Sequence, residues 1–142
     1  MDVSYDERYD QFAIRQVFSI RIAVHSLGQQ YENDNSENHV TINLLLGGGL
    51  SARLDMQTGN EENLGQLFVQ GRVQTESESM ITFLDLKACG CPVNFNPLAS
   101  PPQQATPTRS VQEFVNLITN GQRHWFRFLL VDGHSDGCRY WA

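Results

Sequence analysis

The chain has 142 residues, 40% hydrophobic and 10% aromatic, and a formal net charge of -6. That length fits one domain with a real core, and the composition excludes a disordered chain. The acidic balance argues against nucleic acid, no apolar run reaches the roughly 18 residues of a membrane span, and the start Met1-Asp-Val-Ser-Tyr-Asp-Glu lacks a signal-peptide pattern.

In chain order, residues 1–14 are polar and expected to be loose, with Tyr9, Phe12 and Ile14 as anchors. Residues 17–25 read as a strand, with Ile20, Ile22 and Val24 on one face and Arg21, Ala23 and His25 on the other. The polar stretch 29–38 reads as an exposed loop. Two strands follow, 39–46 and 51–56, joined by Gly47-Gly48-Gly49, where positive φ is cheap. Further strands are expected at 66–73 and 80–86, after a turn-rich link at 57–65. All five prolines fall between Cys89 and Thr108, so 89–108 reads as a long irregular loop.

One helix is expected at 110–120. Ser110 and Glu113 fit a capping box, Val111, Phe114, Val115 and Ile118 make an apolar stripe, and Asn120-Gly121 supplies the stop. An aromatic strand over 123–131 and a turn over 132–137 complete the chain. The expected architecture is a single α+β domain: a curved, mainly antiparallel sheet of about six strands packed on one main helix. Such a sheet can enclose a small-molecule cavity.

The glycine hairpin concentrates the chemistry. Val40, Ile42, Leu44, Leu46, Ala52, Leu54 and Met56 alternate onto a core face, leaving His39, Thr41, Asn43, Ser51, Arg53 and Asp55 on the other. A carboxylate orienting an imidazole, with an arginine holding an oxyanion, moves protons without a cofactor. The same residues also suit a solvated face carrying an exposed Arg53–Asp55 pair. Thr41, Asn43, Trp125, Arg127, Tyr140 and Trp141 are candidates to line a substrate pocket, although an aromatic strand equally suits a core.

The odd count of Cys89, Cys91 and Cys138 reads as free thiols in a reducing, cytoplasmic setting. Cys138 with His39 would suit thiol acyl transfer, against the alternative of a buried structural cysteine. Cys89-Gly90-Cys91 lacks a second pair at ligand spacing, so no metal is expected. No nucleotide fingerprint and no nucleophile elbow is present, and no cofactor is expected.

Three blocks carry a resemblance. They are Ile20-Arg-Ile-Ala-Val-His25 with Leu27-Gly28, Asn38-His-Val-Thr-Ile-Asn-Leu-Leu-Leu46 with Ser51-Ala-Arg-Leu-Asp-Met56, and Gly137-Cys-Arg-Tyr-Trp141. In this order they resemble a fungal family catalogued as a domain of unknown function, over residues 17–141 with a poorer match between 72 and 105. Val40 stands where that family usually carries tryptophan, and the chain stops where family members continue into helices. The resemblance implies a fungal source and a role beside biosynthetic genes. Its histidine-before-cysteine order is similar to permuted papain-like folds, which by analogy would make His39 the base and Cys138 the nucleophile.

Three functions remain open at this level. The first is a cofactor-independent enzyme of fungal specialised metabolism, isomerising or cyclising an apolar small molecule through His39, Arg53 and Asp55. The second is thiol chemistry through Cys138 and His39. The third is a non-catalytic binding protein, dimerising through its aromatic C-terminus.

Overall fold

The structure, a computed structural model, describes residues 3–29, 36–58, 64–73, 80–87, 95–100, 109–122, 129–131 and 134–136. The elements are β1 (Val3–Tyr5), α1 (Tyr9–Phe12), β2 (Ser19–Gln29), β3 (Ser36–Gly47), β4 (Leu50–Thr58), β5 (Gly65–Arg72), β6 (Met80–Lys87), α2 (Val111–Asn120), β7 (Leu129–Val131) and β8 (His134–Asp136). β1 to β6 form one curved, unclosed sheet in the order β1-β5-β4-β3-β2-β6. Every pairing in it is antiparallel except β1 on β5. β7 and β8 make a separate antiparallel pair. The fold is therefore α+β with a mainly antiparallel sheet, as the sequence pattern predicts.

Alternation decides the two faces. Leu44, Leu46, Ala52, Leu54, Met56, Leu67 and Val69 point to one side and are buried against Tyr9, Phe12, Val17, Val111 and Val115. The hairpin turn needs its glycines: Gly47, Gly48 and Gly49 all have positive φ, at 83°, 66° and 75°. Residues 95–100 of the proline-rich stretch are irregular, as expected, and dock on that turn. Gly49 N–H donates to the Pro97 carbonyl at 2.8 Å, and Gly48 N–H donates to the Ala99 carbonyl.

The α2 helix begins where three otherwise orphaned backbone donors find partners. Val111 N–H donates to the Arg15 carbonyl, Gln112 N–H to the Ala13 carbonyl, and Glu113 N–H to Ser110 Oγ at 3.2 Å. Its C-terminus falls at Asn120-Gly121, as expected. Gly121 lies at φ -82°, and the left-handed position falls one residue later, on Gln122 at φ 57°.

The N-terminal segment is not loose. β1 adds a parallel edge strand, and α1 buries Tyr9 and Phe12, while Ile14 remains 83% exposed. Two apolar side chains three residues apart suffice for one helical turn once a sheet is there to receive them. Gly71 on β5 makes that docking possible. A Cβ there would meet the Phe12 ring at 2.5 Å and Arg8 Cβ at 3.0 Å. Because the Phe12 ring is itself buried, Gly71→Ala is expected to cost about 1 to 3 kcal/mol, measured by chemical denaturation.

Three further boundaries differ from the sequence pattern. Part of the expected 29–38 loop is strand: β2 runs to Gln29, and Ser36 already pairs with it across a register shift. Polar side chains do not prevent backbone pairing once the neighbouring register is fixed. The turn expected at 57–65 yields Gln57 and Thr58 to β4 and Gly65 to β5. The turn expected at 132–137 contains β8, paired with the last three residues of the aromatic stretch.

Candidate functional site

The hydrophilic side of the sheet is turned away from solvent. Arg21, His25, Thr41, Asn43, Ser51 and Asp55 are all buried. On β2 this side is even better covered than the apolar one: Arg21, Ala23 and His25 are buried, whereas Ile20, Ile22 and Val24 are only half-buried. A solvated face with an exposed ion pair is thus excluded for these residues.

Strand register builds the site. One row runs across five strands through Asp85, Arg21, Asn43, Arg53 and Gln70. His25 lies opposite His39 between β2 and β3. Asp55, two positions from Arg53 on β4, does not pair with it. Its Oδ1 accepts from His39 Nε2, and its Oδ2 accepts from Gln57 Nε2 at 2.7 Å. His39 and Asp55 keep side-chain exposures of only 17% and 8%. The Arg53–Asp55 pair suggested by their two-residue spacing is therefore replaced by a His39–Asp55 pair.

Arg53 turns instead to a histidine. Its Nη2 lies 3.0 Å from His25 Nε2. A guanidinium can only donate, so Nε2 is the acceptor and His25 carries its proton on Nδ1. Thr41 Oγ1 sits 2.9 Å from the same nitrogen as a second donor, and itself accepts from Asn43 Nδ2 at 3.0 Å. His39 has the opposite tautomer: Nε2–H faces the carboxylate, which places proton-accepting capacity on Nδ1.

Electrostatics follow this wiring. Burial, then the charge of Arg53, pushes His25 down to about 4, so it is neutral at pH 7. Burial alone would raise Asp55. Hydrogen bonds from His39 and Gln57, with the charges of His39 and Arg53, outweigh it and hold the carboxyl below its usual range. Burial, joined by Arg72, lowers Arg53, and the charge of Asp55 opposes both. The site is thus an ionised carboxylate gripping one imidazole, beside a cation gripping another. A carboxylate-oriented imidazole is the arrangement a general base requires, and the adjacent guanidinium can stabilise an anion.

Of the residues singled out from sequence, His39, Thr41, Asn43, Arg53 and Asp55 are brought together. Cys138, Trp125, Arg127, Tyr140 and Trp141, with Cys89 and Cys91, lie outside the described residues. His25 and Gln57 belong to the network, and Arg21 to the adjoining row, without having been candidates for acid–base work. Their signal was parity: His25 and Arg21 share a strand face, and Gln57 follows Asp55 at the same spacing. No group of three or more potential metal ligands occurs among the described residues. No described helix is long and apolar enough to cross a membrane.

Fold and site together define a small α+β protein with a buried polar layer on one side of its sheet. The chain belongs to the family described as Domain of unknown function (DUF7770), which matches residues 20–142. No curated protein and no solved structure matches the chain.

Proposed function

We propose that the protein is a cofactor-independent acid–base catalyst acting on a small organic molecule, of the isomerase or cyclase type, in fungal specialised metabolism. The observation that carries this reading is the His39–Asp55 hydrogen bond within a buried polar layer. The His39 imidazole, oriented by Asp55, takes a proton from a carbon next to a carbonyl. The electron pair moves onto the carbonyl oxygen, where Arg53 stabilises it, and the proton returns to another carbon. Atoms and electrons balance without a co-reactant.

The test incubates the purified protein, alone and as His39→Gln or Asp55→Asn, with candidate carbonyl-containing intermediates. Both variants are expected to lose activity by roughly a hundredfold or more, in line with removal of a general base. Unchanged turnover in both would remove the assigned roles.

The same hydrogen bond supports a second reading. An imidazole oriented by a carboxylate also suits a base that activates a thiol, with Cys138 as nucleophile. Iodoacetamide labelling across pH separates the two: a Cys138 thiol that titrates near ~8.5 argues against thiol chemistry. Dimerisation through Tyr140 and Trp141, and a cytoplasmic location, stay with this proposal as properties to measure.

A further inference from the structure

β1 is too short to cover its neighbour. It pairs with β5 only from Leu67 to Val69, so among the described residues no strand lies beside Gln70 to Val73 on that side. An open cleft of about 260 Å³ follows this edge, lined by Asp6, Arg8, Gln70, Gly71, Arg72 and Val73. Two cations enter it from opposite faces of the sheet. Gln70 and Arg72 share the side of their cross-strand partners Arg53 and Ser51. Gly71 faces the core with Leu67 and Val69, and Arg8 Cβ lies 3.0 Å from where a Cβ on Gly71 would stand.

Neither guanidinium makes a hydrogen bond or an ion pair among the described residues. Asp6, the cleft's one carboxylate, is turned to the backbone instead. Its Oδ1 accepts from the Arg8 N–H at 3.1 Å and its Oδ2 from the Gly71 N–H at 3.0 Å. Glu7 and Asp10 flank Arg8 in the chain but do not line the cleft. A single unpaired arginine on a surface is simply solvated, whereas two in one concavity repel each other until an anion lies between them. This local excess of positive charge stands on a chain whose net charge is -6.

We infer that this cleft binds a phosphoryl group between Arg8 and Arg72, with the Gln70 amide as a neutral donor. Guanidinium forks match phosphate oxygens in pairs. A tetrahedral group offers oxygens in diverging directions and so meets cations from both faces of the strand. A planar carboxylate presents its two oxygens to one side and fully engages only one fork. The cleft is separate from the His39–Asp55 pair, and binding there does not depend on that pair's chemistry. It does reach the polar layer through Arg72, whose charge acts on both His25 and Arg53. An anion held by Arg72 offsets part of that field.

The test titrates inorganic phosphate into the full chain at neutral pH, with ionic strength held constant by sodium chloride, and follows the backbone amides by two-dimensional NMR. Saturable shifts are expected at the Asp6, Arg8 and Gly71 amides. Arg8→Gln and Arg72→Gln are each expected to weaken binding roughly tenfold, as loss of charge-assisted hydrogen bonds does. Arg109→Gln removes an exposed arginine outside the cleft and is expected to leave the affinity unchanged. The same spectra report whether each variant is folded. Arg72→Lys keeps the charge but loses the fork; it is expected to weaken binding less than Arg72→Gln and serves where the glutamine variant does not fold. Phenyl phosphate separates two sources: tighter binding than inorganic phosphate identifies a phosphomonoester, and equal or weaker binding identifies free phosphate, either of which supports the site. No saturable shift beyond chloride, a stronger response to acetate, an equal loss in Arg109→Gln, or unchanged affinity in either cleft variant overturns the inference.

Discussion

Asp55→Ala is expected to destabilise the protein by about 3 kcal/mol, and adding Arg53→Met is expected to recover part of that loss. Removing the carboxylate leaves His39 Nε2–H without its acceptor in a covered layer, while the exposed Gln57 can turn to water. Breaking a buried pair by deleting one partner typically costs about 3 to 5 kcal/mol, because the survivor keeps its desolvation penalty. The lower end applies here because His39 retains some solvent contact. The deletion also removes a negative charge that acts on Arg53, a cation that disfavours protonation of His25. Taking away Arg53 then relieves a cation that has lost its counter-charge. A double-mutant cycle by urea denaturation is expected to give a coupling of about 1 kcal/mol or more in the rescuing direction. Strict additivity would mean that the two residues do not share a field, and would undermine the picture of an electrostatically joined site.

That coupling was only half legible in the sequence. Alternation alone places His39, Arg53 and Asp55 on one face, because residues two apart on a strand must point the same way. The apolar complement, from Val40 through Met56, gives the core face by the same rule. What alternation cannot give is pairing between segments distant in the chain. β2 sits between β3 and β6, and only that order sets Arg21 against Asp85 and His25 against His39. His25 therefore looks like an ordinary strand residue until its neighbour is known. The choice of Asp55 for His39 over Arg53 is a matter of side-chain geometry, to which spacing is blind. The N-terminal segment escaped for a different reason. A single turn of helix has almost no intrinsic stability and exists because Gly71 leaves room for Phe12 on a preformed sheet.

Acid is expected to destabilise the fold in two stages, beginning well above the usual carboxylate range. In the unfolded chain His25 takes up a proton near pH ~6.5. In the folded protein it resists protonation down to about 4, because it is buried and its Nε2 accepts from the Arg53 cation. Between those values the unfolded state binds more protons, so stability rises with pH through the window and is lost as pH falls from 6.5 towards 4. A shift of this size is worth on the order of 3 kcal/mol. Asp55 continues the trend lower down. Its folded carboxyl is held below the unfolded value near ~3.9, so its contribution is present above that pH and lost as pH falls through the folded value. Urea midpoints measured from pH 8 to pH 3 should therefore decline first through the histidine window and then again below it. His25→Gln keeps an acceptor for Arg53 without a group that titrates there. It is expected to flatten the profile between pH 6.5 and 4 while leaving the lower step in place. Ionic strength offers a second control, because buried interactions are screened far less than surface ones. A profile that is flat in the wild type through the histidine window would mean that His25 is free to protonate, and that the Arg53 guanidinium does not hold its lone pair.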